Sequence, residues 1–177
     1  MVLLVAATEP ELCGLDGVVC GVGPVEAAAR TAEALVERQP PGVLHIGLAG
    51  ARDLDPLAVV LGSEAIYCDT DSALVPSRAL PDERLLAAAR HALPDALVMP
   101  IGTSARVGGT TGCRVEAMEG FAVLRAAAIA GVPALEARIV SNAIDEPDRA
   151  KWRFDDSLAA LADVLPRLLA ALSQKSV

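Results

Sequence analysis

Aromatic residues are scarce in this chain, and positive charges are fewer than negative ones. Among 177 residues the aromatic ones are Tyr67, Phe121, Trp152 and Phe154, and 15 Lys+Arg face 23 Asp+Glu, which gives a formal net charge of −8. Surfaces that bind nucleic acids need basic patches and aromatic platforms for the bases. The composition therefore argues against a nucleic-acid partner.

Long hydrophobic runs are also missing. The apolar residues 1–7 are followed at once by Thr8-Glu9-Pro10-Glu11, and the longest later run, residues 121–135, is interrupted by a charge, a glycine and a proline. A membrane span needs about 20 apolar residues, and a signal peptide begins with a positively charged region. We therefore expect a cytoplasmic protein that has no membrane partner.

The few cysteines and histidines show no metal-binding pattern. The four cysteines contain no CxxC pair, and His45 and His91 lie near none of them in sequence. Metal sites in proteins usually combine such residues at short, regular spacings. We expect free thiols, no metal and no other cofactor.

Apolar residues are abundant, at 53% of the chain, and their pattern alternates between short runs and longer amphipathic segments. The pattern predicts strands at 1–7, 17–21, 43–48, 58–67, 95–101 and 135–140 and helices at 25–38, 81–93, 118–130 and 155–172, the last interrupted at Pro166. We find no internal repeat and no linker. The alternation predicts a single α/β domain over residues 1–177, with three layers and a mixed, mostly parallel central sheet flanked by helices.

Ligands of open α/β sheets bind beyond the carboxyl ends of the strands, so residues that follow predicted strands are candidates for a site. Glu11 follows the first strand, where an acid is either a general base for water or part of a solvated turn. Gly21-Val22-Gly23-Pro24 precedes a helix and is either an anion-binding loop or a tight turn. The small residues 47–51 suit a close approach of ligand to backbone, or close packing.

Two further stretches carry polar groups at such positions. Glu116 and Glu119 stand at the predicted start of an apolar helix, where they either interact with the helix dipole or accept hydrogen bonds from ligand hydroxyls. Ser141-Asn142 ends the last predicted strand. Its amide both donates and accepts hydrogen bonds, which suits the edge of a heterocycle, although Ser-Asn is equally typical of a plain turn.

In their order along the chain, these five stretches resemble the purine nucleoside phosphorylase/nucleosidase superfamily, whose members cleave N-glycosidic bonds. The matching pieces are Glu9–Glu11, Gly21–Ala28, Gly47–Gly50, Val115–Ala122 and Arg138–Asn142. Ser141-Asn142, followed by Asp148-Arg149-Ala150-Lys151-Trp152, is most similar to the futalosine hydrolases, which release hypoxanthine in a route to menaquinone. Methylthioadenosine nucleosidases usually carry Ser-Asp there. The resemblance implies a purine nucleosidase that forms a homo-oligomer.

The resemblance also implies roles for individual residues. Glu11 would be the base for the attacking water, and Asn142 would meet the N7 edge of the purine, which makes both catalytic. An Asn cannot hand over a proton as an acid, so a 6-oxopurine, a better leaving group than adenine, is the expected base. Glu119 would bind the ribose hydroxyls and Met118 would pack on the sugar. The implied substrate-binding set is Leu48, Ala49, Gly50, Arg106, Val107, Glu116, Ala117, Met118 and Glu119.

Other activities stay open. A phosphorylase usually places Arg residues near the loops at 21–23 and 47, whereas here the first loop is followed only by Arg30, inside a helix; Arg52 keeps phosphorolysis possible. A methylthioadenosine/S-adenosylhomocysteine nucleosidase and a catalytically weak nucleoside-binding relative are the further alternatives. The chain is shortened between about residues 69 and 98, where the family usually contributes a loop near the substrate. The stacking residue over the base is then missing, or it is Phe121, Trp152 or a residue of a neighbouring subunit.

Overall fold

A computed structural model describes residues 1–107 and 112–173. The strands in these residues are β1 (Leu3–Ala6), β2 (Val18–Val19), β3 (Val43–Ala51), β4 (Val59–Tyr67), β5 (Arg78–Ala79), β6 (Leu97–Thr103), β7 (Val115–Ala117) and β8 (Ala134–Ala143). The helices are α1 (Pro24–Arg38), α2 (Glu83–Ala92), α3 (Gly120–Ile129) and α4 (Phe154–Leu172). Short 3₁₀ turns cover Glu9–Leu12 and Arg149–Lys151.

The strands form one mixed sheet in the order β2-β1-β3-β7-β6-β4-β5, and β8 pairs with both β3 and β4. Pairing is parallel between β1 and its two neighbours, between β3 and β8, and between β6 and both β4 and β7. It is antiparallel between β3 and β7, between β4 and β5, and between β4 and β8. The predicted α/β class with a mixed, mostly parallel sheet is confirmed.

The helices cover two faces of the sheet. On one face α2 and α4 pack together over a core that includes Leu44, Ile46 and Leu135, and on the other α1 packs against α3 over Val5 and Leu124. Because successive strand residues point to opposite faces, strands buried on both sides are nearly all apolar. No described helix combines the length and the apolar character that a membrane span requires.

Most predicted elements match to within a few residues at their ends, β5 is not predicted, and two regions differ in kind. The helix expected from residue 118 begins at Gly120, and Val115–Ala117 is a separate strand that the sequence pattern does not indicate. The interruption expected at Pro166 is wrong, since α4 runs through it. Pro166 is exposed, and Leu165 and Leu168 on either side of it are buried in the core, so packing keeps the helix continuous.

Candidate active site

Glu11 lies beyond the carboxyl end of β1 and beside Leu48 of β3. The 3₁₀ turn that follows β1 folds its side chain back, so Oε2 accepts hydrogen bonds from the Thr8 backbone N–H (2.9 Å) and hydroxyl (2.8 Å). Its Oε1 accepts a third hydrogen bond, from the Leu48 N–H at 3.0 Å. The carboxylate is buried and held by fixed donors, an arrangement that positions a base without a flexible partner.

Gly47 allows Glu11 to approach the sheet. A Cβ atom at Gly47 would lie 2.6 Å from Glu11 Oε1 and would also collide with the Arg138 guanidinium. Real Cβ atoms do not tolerate such contacts, and both obstacles are parts of the hydrogen-bonded cluster. The small residue at 47 is therefore required by this close approach.

Arg138 is the centre of the buried cluster. Its Nε donates to Glu136 Oε1 at 2.8 Å, and its Nη2 lies 3.4 Å from Glu119 Oε2. Nη1 lies 3.4 Å from the Leu48 carbonyl oxygen, and Nη2 also contacts His45 Nε2. Glu136 and His45 are not among the sequence-predicted site residues, although charged residues inside the apolar strand 134–140 are a signal that could have pointed to Glu136.

His45 is the neutral member of this cluster. An arginine only donates hydrogen bonds, so His45 Nε2 accepts from Arg138, and Nδ1 carries the proton that it donates to the Val5 carbonyl at 2.9 Å. Burial lowers the pKa of His45 well below its usual 6.5, and the Arg138 charge lowers it further. The imidazole therefore orients the guanidinium without adding charge.

Burial has the largest effect on the pKa values of Glu119 and Glu136, two buried acids of the site. It raises the pKa of Glu119 and of Glu136, while the Arg138 charge partly offsets both shifts. Burial alone would lower the pKa of Arg138, but Glu136, Glu119 and Glu11 outweigh it and raise that pKa. The site thus has one permanent cation surrounded by three carboxyl groups.

The loop before α1 binds a carboxylate of the protein itself, that of Glu119. The Gly23 N–H donates to Glu119 Oε1 at 3.0 Å. Glu119 is therefore held between a backbone donor near the amino end of α1 and the Arg138 guanidinium. The next residue, Gly120, must be small, because a Cβ atom there would collide with the Glu136 carboxylate.

Glu116, Ala117 and Met118 lie in or just after β7 and not at a helix start. Glu116 is opposite Gly50 of β3 and Gly102 of β6, and the Ala117 carbonyl accepts from the Ser104 N–H at 3.1 Å. Met118 is half-buried where β7 turns into α3. The helix-dipole interpretation of Glu116 is therefore wrong, because a strand holds it.

Asn142 lies beside Gly50 in the β3–β8 ladder, with Ala49 just before the register shift. Its Oδ1 accepts from the Ser141 hydroxyl at 2.7 Å, and its Nδ2 donates to the Ala143 carbonyl at 2.9 Å. The Ala143 carbonyl can only accept, so it fixes which end of the amide is the donor. Among the described residues Nδ2 donates to the Ala143 carbonyl alone, so its second hydrogen can donate to a ligand.

Arg106 and Val107 are exposed and do not join the cluster around Arg138. Arg106 instead lines a separate polar cavity of about 400 Å³, together with Cys68, Asp69, Thr70 and Asp71. Asp69 holds the preceding segment, because it accepts from the Ser104 hydroxyl and the Ala105 N–H, both at 2.7 Å. No sequence pattern points to this role of Asp69.

The two aromatic side chains considered for stacking on a base already have ring partners. Phe121 stacks on Tyr67 at 5.2 Å between ring centroids, and Trp152 is tilted against Phe154 at 5.4 Å. Trp152 also donates from its indole N–H to the Glu146 carbonyl at 3.1 Å. Each ring is therefore positioned by its own neighbours.

Comparisons with known proteins agree with this architecture. The family model described as the phosphorylase superfamily matches residues 17–113. A futalosine hydrolase from Streptomyces coelicolor is 35% identical over 90% of this chain and 80% of its own length. A futalosine hydrolase from Thermus thermophilus is 44% identical over 33% of this chain and 26% of its own length.

Solved structures show the same fold. A 5′-methylthioadenosine/S-adenosylhomocysteine nucleosidase from S. pneumoniae, bound to a transition-state inhibitor, superposes with a TM-score of 0.85 at 21% identity, over 97% of this chain and 99% of that one. A futalosine hydrolase mutant from Helicobacter pylori gives a TM-score of 0.85 at 18% identity, over 96% and 98% of the two chains.

Proposed function

The chain belongs to the phosphorylase superfamily, and we propose that it is a nucleosidase that hydrolyses the N-glycosidic bond of a purine nucleoside. One observation carries this proposal: two buried acids, Glu11 beyond the carboxyl end of β1 and Glu119 just before α3, meet around Arg138. The similarity to a futalosine hydrolase over most of both chains supports hydrolysis as the reaction.

The geometry matches the charges that develop in this reaction. Cleavage of the glycosidic bond makes the ribose resemble an oxocarbenium ion and leaves negative charge on the purine, so both ends need stabilisation. Glu11, held by backbone donors, accepts a proton from the attacking water. Glu119 accepts hydrogen bonds from the ribose hydroxyls, and Met118 packs on the sugar beside it.

Asn142 serves the leaving base. The second hydrogen on Nδ2 donates to N7 of the purine, and the small residues Ala49 and Gly50 lie beside Asn142 in the neighbouring strand. An amide stabilises the departing base without protonating it, which suits a 6-oxopurine. The proposed reaction therefore converts futalosine to hypoxanthine and dehypoxanthine futalosine, as in menaquinone biosynthesis.

Water is favoured over phosphate as the nucleophile. The Gly23 N–H, which would otherwise be available to a phosphate, donates to the Glu119 carboxylate. A phosphate dianion at that loop would face a negative group. The Arg52 guanidinium, the other candidate for binding phosphate, donates to the Cys113 carbonyl at 2.5 Å.

Release of free base tests the proposal. The purified protein is incubated with futalosine, inosine and methylthioadenosine, with and without phosphate, and the products are separated by chromatography. We expect hypoxanthine from futalosine at a rate that does not depend on phosphate. Formation of a ribose 1-phosphate product would identify a phosphorylase, and preferential release of adenine would identify a methylthioadenosine/S-adenosylhomocysteine nucleosidase. Binding of the base without any release would identify a non-catalytic relative.

We also propose that the chain forms a homo-oligomer through α1 and α3. A groove of about 1140 Å³ runs between these helices, and almost all of its lining is apolar. Val25, Val36 and Ile129 on this groove are 80%, 77% and 73% exposed. Large exposed apolar patches mark interaction sites, and in a symmetric dimer the same patch of a second copy covers each one.

A further inference from the structure

Two cysteines that lie far apart in sequence meet outside the cluster around Arg138. Cys68 directly follows β4, and Cys113 lies two residues before β7. Both are half-buried thiols, and the Cys68 side chain forms a hydrogen bond with that of Cys113. The thiols of Cys13 and Cys20 contact backbone carbonyl groups instead. The fold therefore brings one particular pair of thiols together.

The backbone on both sides of this pair is held in place. The Cys68 N–H donates to the Thr103 carbonyl at 2.9 Å, and Cys68 Sγ lies 3.4 Å from the Ile66 carbonyl oxygen. The Arg52 guanidinium donates to the Cys113 carbonyl at 2.5 Å. A disulfide joins two sulfur atoms about 2.05 Å apart, so thiols already in hydrogen-bond contact need only a small movement of their side chains.

A small oxidant can reach the pair. Cys68 lines the polar cavity of about 400 Å³ that Arg106 also lines, whereas Cys20 is completely buried. Burial and the neighbouring Cys113 raise the pKa of Cys68 to about 12, so Cys68 keeps its proton near neutral pH. Because the thiolate is the reactive form of cysteine, the first oxidation step occurs at Cys113.

We propose that Cys68 and Cys113 form a redox modification site, a dithiol that hydrogen peroxide converts to an intramolecular disulfide. Cys113 gives up its proton and its sulfur attacks one peroxide oxygen. The O–O bond breaks, which leaves a sulfenic acid on Cys113 and a hydroxide that takes up the proton to become water. The Cys68 sulfur then attacks the Cys113 sulfur, and the displaced hydroxide leaves with the Cys68 proton as a second water.

The two steps balance. Two thiols are oxidised by two electrons in total, and one peroxide is reduced to two waters. A dithiol reductant reverses the reaction by thiol–disulfide exchange. The crosslink joins the segment after β4, where Asp69 holds Ser104 and Ala105, to the segment before β7.

Mass spectrometry of the unaltered protein tests the proposal. The reduced protein is treated with hydrogen peroxide, alkylated, and digested without reductant. We expect a loss of about 2 Da, the mass of two hydrogens, a linked peptide pair that contains Cys68 and Cys113, and reversal by dithiothreitol. An unchanged mass, addition of oxygen alone, a different pair or a crosslink between two chains would overturn the proposal.

Serine variants assign the crosslink. Cys68→Ser and Cys113→Ser should each abolish it, whereas Cys13→Ser removes a half-buried thiol outside the pair and should leave it intact. A crosslink that persists in either of the first two variants, or that disappears in Cys13→Ser, would contradict the assignment. Release of base is not part of the measurement, so the outcome is independent of the proposed nucleosidase function.

Discussion

A single guanidinium holds the candidate site together at the scale of residues. Arg138 contacts Glu136, Glu119 and His45 in a region closed to solvent. Buried charges persist when they are paired, and removing one partner leaves the others uncompensated. The cluster therefore couples the stability of the fold to the geometry of the site.

Replacing this arginine should be costly. We expect Arg138→Met to lower the free energy of unfolding by about 3–5 kcal/mol, because Glu119 and Glu136 lose their cation. Urea denaturation measures the change. In Arg78→Met, which breaks the exposed pair with Glu64, the loss should stay below about 1 kcal/mol; similar losses in the two variants would show that burial gives Arg138 no special weight.

Replacing Glu11 by the corresponding amide tests its role as a base. Glu11→Gln keeps the shape of the side chain but cannot take a proton from water, so kcat for base release should fall about 10²- to 10⁴-fold. Steady-state kinetics with futalosine gives this value. Glu9→Gln, an exposed acid of the same 3₁₀ turn, should retain full activity, and a comparable loss there would argue against a specific role for Glu11.

The buried acids also predict how stability varies with pH. The pKa of Glu136 is raised above its usual 4.5 by burial, so between 4.5 and that raised value the folded state binds a proton that the unfolded state has lost. Stability contributed by this group therefore falls as pH rises through that window. His45 acts in the opposite sense, because its lowered pKa makes stability rise with pH up to about 6.5.

We expect Glu136→Gln to remove the first of these two contributions. Above pH 4.5 the slope of unfolding free energy against pH should become more positive than in the unaltered protein. The reason is that the negative contribution of Glu136 is lost while the positive contribution of His45 remains. Urea titrations at half-unit pH steps measure the slope. An unchanged slope would mean that Glu136 titrates alike in the folded and unfolded chain.

At the scale of secondary-structure elements, the hydrophobic period of the sequence predicts the long helices and strands but does not reveal the short ones. The amphipathic helices and buried strands have their own repeat, so their existence follows from the sequence alone. β7 has three residues, too few for a repeat to show, and its extended form depends on pairing with β3 and β6. The sequence pattern therefore predicts Glu116 at the start of a helix, whereas the structure places it in β7.

α4 shows packing overriding local preference. Pro166 removes a backbone hydrogen bond and crowds the preceding turn, yet the helix continues across it. Pro166→Ala should raise the free energy of unfolding by about 1–3 kcal/mol, measured by urea denaturation. Pro147→Ala, in an exposed loop, should be neutral or slightly destabilising, and an equal gain at both positions would point to a general effect of proline on the unfolded chain.

At the scale of the molecule, the apolar groove between α1 and α3 decides the proposed oligomeric state. An arginine at Ile129 places a charge in that contact, so we expect Ile129→Arg to convert the homo-oligomer to a monomer, as measured by size-exclusion chromatography with light scattering. Leu74→Arg alters an exposed leucine that does not line the groove and should leave the molar mass unchanged. A monomer before substitution would refute the interface.

The sequence by itself determined the α/β class and the residue types of the site, because hydrophobic period and strand-end motifs are local properties. The shortening between residues 69 and 98 stays a prediction. Tertiary structure decided which acids meet. Arg138 and Glu136 lie on one strand and His45 on its neighbour, and together they form the buried cluster that contacts Glu119. The loop before α1 contacts the same acid, because the Gly23 N–H donates to Glu119. The scarcity of aromatic residues argues against a nucleic-acid partner, whereas only the fold shows that Tyr67 and Phe121 stack on each other beside the exposed groove. These contacts join residues up to 96 positions apart, so only the folded chain brings them together.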